Sequence, residues 1–278
     1  MSRPRRPSCR AVLRDERGMT IMELLVASFI GLFVVGTVFA AVRVQGRSAA
    51  YQSGLADAQI TTRGAGELLL RDLRMAGFGM LGVSPTDAAT YPPLSYTEVG
   101  GVTTLVLRGA FDNVTTTVAT SVAPGNTINV TPPAQGSFQV NNLVLIDSGL
   151  SSEVRQITGV GSAGGNVTLT VAPALTHSYP IGPFVTQLEV VTYRWEGNVL
   201  RRNNQVIADN APAFDIRFYE QEVGAPATDT PGDDLRSVTI DFQAAQAAAA
   251  KLPDNPTAKS RVVTEANMRN LAFRFTLD

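Results

Sequence analysis

Residues 24–42 are nineteen consecutive positions without a charge, and the glutamate that precedes them, Glu23, is the sole charged side chain between Arg17 and Arg43. At 1.5 Å per residue, a helix of that length spans most of a bilayer hydrocarbon core of roughly 30 Å. The run is therefore read as a membrane anchor. Six arginines (Arg3, Arg5, Arg6, Arg10, Arg14 and Arg17) against Asp15 and Glu16 give residues 1–18 a charge of +4. The positive-inside rule then places residues 1–18 in the cytoplasm and the remaining chain across the membrane. A secretory signal peptide would place a small-residue cleavage site and a polar break after the apolar stretch. Ala40-Ala41-Val42 is a poor match, and cutting there would discard Glu23. A carboxylate in hydrocarbon is costly unless it is paired or protonated, so Glu23 is a functional candidate by default. The competing reading is a glutamate at the interface that snorkels to headgroups.

No proline occurs between Pro7 and Pro85, and beyond Arg43 the apolar or small positions Tyr51, Leu55, Ala58, Thr62, Ala65, Leu69, Leu73 and Ala76 recur in steps of four and three. That spacing predicts an amphipathic continuation of the anchor, with Gln52, Asp57, Arg63, Glu67, Arg71 and Arg74 on the opposite face. Gly77-Phe78-Gly79 supplies the stop. The expected helix has about 60 residues and a length close to 90 Å. Its first half must be covered by lipid or by like helices, and its second half by a folded domain.

Gly18-Met19-Thr20-Ile21-Met22-Glu23-Leu24-Leu25-Val26-Ala27 resembles the class III signal of type IV prepilins and type II secretion pseudopilins. The resemblance implies a membrane peptidase that cuts after Gly18, an N-methylated Met19 as first mature residue, and Glu23 as the assembly carboxylate at the fifth mature position. Physically, the cut creates a cationic amine at Met19, and Glu23 of one subunit can meet that amine on a neighbour, which makes its burial favourable in one axial register. Leu70-Arg71-Asp72-Leu73-Arg74-Met75-Ala76-Gly77-Phe78-Gly79 is similar to the helix end of PilW-type minor pilins. Val191-Thr192-Tyr193-Arg194-Trp195 with Gly197, Leu200-Arg201-Arg202-Asn203, residues 211–218 and Glu265-Ala266-Asn267-Met268-Arg269-Asn270-Leu271 look like the C-terminal sheet of PilW-type minor pilins and J-type minor pseudopilins.

After Gly79, short apolar and threonine-rich runs divided by Gly, Pro and Asn predict an all-β region. Expected strands cover residues 103–108, 115–120, 127–131, 139–146, 153–160 and 166–171, then 185–195, 198–202, 205–208, 214–220, 235–242 and 271–277. Pro180, Gly182 and Pro183 divide the two sets. The expected fold is α+β and type IV pilin-like, with one long N-terminal helix packed on a C-terminal antiparallel sheet and an inserted β-rich subdomain. Its parts are a cleaved cytoplasmic leader (1–18), a transmembrane and assembly helix (19–42), its amphipathic continuation (43–79), the inserted subdomain (80–184) and the closing sheet (185–278).

The chain beyond residue 18 carries −5, which argues against a broad nucleic-acid-binding face. Cys9 is the single cysteine and lies in the leader, so a chain cut after Gly18 holds no thiol. His177 is the single histidine, and no nucleophile and base pair is legible beside it, so no catalytic residue is expected. Trp195 reads as a sheet-packing aromatic. Asp229, Asp233 and Asp234 offer hard oxygens for calcium, but their spacing does not match an ordered calcium loop, and no cofactor is otherwise expected. Asn113, Asn129 and Asn166 each begin an Asn-Val-Thr triplet, read as chance in threonine-rich strands.

The resemblance implies a minor pilin, not an enzyme. It would sit in a bacterial inner membrane with a cytoplasmic N-terminus and a periplasmic C-terminal domain, then enter a type IV pilus to prime assembly or form the tip. Implied partners are the prepilin peptidase, other minor pilins, the major pilin and the inner-membrane platform protein. Two alternatives stay open: a J-like minor pseudopilin of type II secretion, and a pilus-tip adhesin that uses residues 80–184 to bind a surface or ligand.

Overall fold

The computed structural model describes residues 19–220, 235–245 and 259–267. The chain divides into two compact units, residues 1–49 and 50–278. One uninterrupted helix, α1 (Ile21–Met75), supplies the described secondary structure of the first unit and the opening element of the second. In the first unit, helical side chains 21–49 are all exposed, and this part of α1 is long and apolar enough to cross a membrane.

In the second unit, α1 buries Ala58, Thr62, Ala65, Leu69, Leu73 and its successor Ala76, the face that the steps of four and three define. Arg63, Glu67, Arg71 and Arg74 lie on the exposed face, as the charge pattern predicts. The buried face departs from the expected stripe: Tyr51 is exposed, Leu55 is half-buried, and Gly54, Gly66 and Asp72 join it. Val262 packs over this face, so that a Cβ added at Gly66 would lie in contact with its Cγ1 at 3.4 Å. The helix stops at Met75, and Gly77 (φ 78°) and Gly79 (φ 75°) take the left-handed conformation that glycine alone adopts at little cost.

A short helix, α2 (Pro85–Thr90), and thirteen strands follow among the described residues. They are β1 (Leu94–Val99), β2 (Val102–Gly109), β3 (Thr115–Thr117), β4 (Thr127–Val130), β5 (Leu143–Asp147), β6 (Ser152–Ala163), β7 (Asn166–Ala172), β8 (Phe184–Glu196), β9 (Val199–Arg202), β10 (Gln205–Ala208), β11 (Ala213–Glu220), β12 (Leu235–Ala245) and β13 (Lys259–Asn267). All pairings between them are antiparallel. Strands β11, β12 and β13 form one sheet in that order, and the other ten form a second.

Within the larger sheet, β3, β8, β5, β6, β7 and β4 pair in sequence. The ring closes because Val118, just past β3, bridges to Val130 of β4, with Ala119 N donating to Asn129 O at 2.9 Å and Thr131 N to Thr117 O at 3.0 Å. The result is a small closed barrel, an arrangement that removes free strand edges. Its interior holds Val114, Ile128, Val130, Ile146, Ile157, Leu169, Val171 and Val185, all 1% exposed or less.

A second core joins α1 to both sheets: Leu69 and Leu73 pack with Leu105 and Leu107 of β2, Tyr193 of β8, Phe218 of β11 and Ile240 of β12. Strand β8 serves both cores. Its start pairs with β3 and β5, and its end pairs with β2 and β9. Segment 80–184 thus contributes β1 and β2 to the core on α1 as well as five strands to the barrel.

Several sequence expectations are corrected. Residues 139–142 precede β5 because Asn141 (φ 75°) sits in a turn, and β3 ends at Thr117, after which only the Val118 bridge continues it. Strands β1 and β13 and helix α2 fall where no element was expected. The expected strand 271–277 lies outside the described residues.

Candidate functional site

Met19 and Thr20 precede the first helical residue, Ile21. Thr20 is the N-cap: Glu23 N donates to Thr20 Oγ1 at 3.2 Å, and Thr20 N donates back to Glu23 Oε2 at 3.3 Å. This reciprocal pair is a capping box, which satisfies two of the donors that a helix start leaves unpaired. The signal was present in the sequence as Thr20-x-x-Glu23, but the expectation assigned Glu23 to assembly alone. The capping geometry holds its carboxylate at the N-terminal end of α1, beside Met19. Gly18 and Cys9 lie outside the described residues, as do Asp229, Asp233 and Asp234.

Among the described residues of the second unit, the buried charged side chains lie in three clusters that sequence reading missed. Asp72, 2% exposed, accepts from Tyr193 Oη at 2.7 Å and from Arg202 Nε at 2.6 Å. Its signal was positional, because residues 69, 72, 73 and 76 share one helical face. The carboxylate ties α1 to β8 and β9. Burial and then the Asp72 charge push the Tyr193 phenol well above its ordinary range. Burial disfavours the Arg202 charge most, but the hydrogen bond and charge of Asp72, with Tyr193, together outweigh it and raise the Arg202 pKa.

The second cluster lies where β8 passes from one core to the other. Gln187 Nε2 donates to Glu189 Oε1 at 2.8 Å, Gln139 N donates to Gln187 Oε1 at 2.6 Å, and Asp112 N donates to Glu189 Oε2 at 3.2 Å. Burial raises the Glu189 pKa despite these donors.

The third cluster gathers His177. Glu153 of β6, whose side chain is 2% exposed, accepts from Thr176 N at 3.0 Å, Thr176 Oγ1, His177 N at 3.0 Å and His177 Nδ1 at 2.6 Å. Burial disfavours the Glu153 charge, yet hydrogen bonds from Thr176 and His177, with Arg155 nearby, hold its pKa below the ordinary value. An ionised carboxylate only accepts, so Nδ1 carries the ring proton. His177 thus has the distant carboxylate that its sequence neighbourhood lacks, and the pair anchors a loop. Trp195 donates from Nε1 to Ala211 O at 2.8 Å and packs at the margin of the α1 core, as its sheet-packing reading expects. Among the described residues no three His, Cys, Asp or Glu side chains converge to hold a metal ion.

Comparison of the chain with family models, with curated proteins and with solved structures gave no match. The molecule itself supplies a long N-terminal apolar helix whose continuation packs on antiparallel sheet, a layout compatible with a type IV pilin-like fold.

Proposed function

We propose that this chain is a minor prepilin: it is inserted in the inner membrane with residues 1–18 cytoplasmic, cut after Gly18, N-methylated at Met19 and drawn into a type IV pilus. The observation that carries this reading is Glu23, the only charge between Arg17 and Arg43, set in the first turn of a helix that leads without interruption into a folded core. In lipid this carboxylate lacks a solvating shell. Meeting the Met19 amine of a neighbouring subunit relieves that cost, and so favours both extraction from the membrane and a single axial register. The prepilin peptidase, the platform protein and the other pilins are the partners this route requires.

Amino-terminal sequencing of the mature protein tests the processing step, with N-methyl-Met19 as the expected first residue. An intact leader would replace this reading with a simple signal anchor. For the register step, Glu23→Ala should still insert in the membrane and still be cut, yet fail to enter filaments. Normal incorporation of that variant would rule the register mechanism out.

The barrel supports a second, compatible role in surface or ligand contact, because it has its own core and carries exposed Leu150 (100%) and Phe184 (69%). Replacing both with serine should leave incorporation intact and abolish adhesion if this role holds.

A further inference from the structure

One rim of the barrel is closed by a short segment that crosses from β7 towards β8. Leu175 and Gly125 exchange backbone hydrogen bonds at 2.7 and 3.2 Å, and Tyr179 and Val122 exchange them at 2.9 and 2.8 Å. Between these two anchor points, Thr176 and His177 direct four donors onto the single carboxylate of Glu153. The side chains of Leu175 and Tyr179 fill the barrel end, at 2% and 1% exposure. Yet the Tyr179 hydroxyl is buried and, among the described residues, meets hydrogen-bond geometry with no partner, although the Ser151 hydroxyl lies near enough to act on it. A buried hydroxyl left unpaired opposes closure, whereas a carboxylate that receives four donors favours it.

We propose that residues 174–179 form a releasable strap over this rim, latched by the Glu153 carboxylate and biased towards opening by the unpaired Tyr179 hydroxyl. The groups that face Glu153 are Arg155 on its own strand, Asp87 from α2, and His177 and Tyr179 from the strap. Arg155 holds the latch in place from behind: its Nε donates to Ala174 O at 3.2 Å, its Nη1 lies 3.3 Å from Asp87 Oδ1, and its Nη2 lies 3.5 Å from Glu153 Oε2. Opening would vacate the sockets of Leu175 and Tyr179. Leu150 and Ile181, exposed in turns that border the strap, would then adjoin a wider apolar surface. The latch is a charge effect with a defined sign: Glu153 is held ionised in the closed form, so closure persists above the ordinary glutamate range and fails as pH falls below it. None of this depends on how the chain is anchored or processed.

Hydrogen exchange of the full-length chain in detergent, corrected for intrinsic rates, reads the opening constants of the Leu175, Thr176, His177 and Tyr179 amides. Ile216 and Ile240, in the other core, serve as references. Glu153→Gln should raise strap opening about ten- to a hundredfold at neutral pH and leave the references unchanged. The same variant should lack the acid-triggered opening step shown by the unmodified protein. Tyr179→Phe, which removes the orphaned hydroxyl, should lower strap opening by about tenfold. Unchanged strap protection in Glu153→Gln, equal loss at the reference amides, or faster opening in Tyr179→Phe would each overturn the proposal.

Discussion

Asp72 shows how one side chain sets the seating of a helix. Its carboxylate serves Tyr193 and Arg202, and removing it would leave a buried phenol and a half-buried guanidinium without this acceptor. Asp72→Ala should therefore cost about 3 kcal/mol in urea unfolding, against about 1 kcal/mol for Tyr193→Phe, which loses one bond but strands no charge. The pH dependence has a definite direction. Tyr193 has a folded pKa above its ordinary value of 10.0, so its contribution is complete below that pH and is lost as pH rises towards the folded value. Stability should fall in alkali, and Tyr193→Phe should flatten that fall. The capping role of Glu23 is local, because its partner Thr20 is a sequence neighbour. Glu153 was not legible as a site, since its partners lie 23 and 24 residues away and meet it only after β6, β7 and the strap are in register.

At the scale of elements, α1 is held at both ends by backbone geometry. Thr20→Ala removes the N-cap and should destabilise the first turn by about 1 kcal/mol, visible as faster exchange of the amides at residues 22–24 in micelles. At the other end β2 passes so close that a Cβ on Gly109 would lie 2.6 Å from the Met75 carbonyl oxygen. Gly109→Ala must push backbone from backbone, with an expected loss of about 1–3 kcal/mol in thermal or urea unfolding. Strand β2 was legible from its run of β-branched and apolar residues, Val102 to Leu107, and its burial alternates strictly along its length. By contrast, β13 escaped notice: Lys259-Ser260-Arg261-Val262-Val263-Thr264-Glu265 is largely polar, as suits a strand with few buried positions. Strand β1 is a six-residue strand between Pro93 and Gly100 and was lost among turn signals.

For the whole molecule, the consequence of residues 24–42 is that the chain should partition with membranes, resist high-salt and alkaline washing, and dissolve only in detergent. Arginines at Phe33 and Val34 should move it to the soluble fraction, because each costs about 2.5–3.5 kcal/mol at the middle of an inserting helix. The long apolar helix, the buried stripe of its continuation and most strand positions could be read directly, since each reflects a continuous apolar run or a solvent preference repeated at a period of 3.6 or 2 along a local stretch. Closure of the barrel through Val118 and Val130, the sharing of β8 between two cores, and the pairing of Asp72 with Arg202 across 130 residues could not. Those depend on strand order and register, which arise from the mutual packing of distant segments and leave no periodic trace in any one of them.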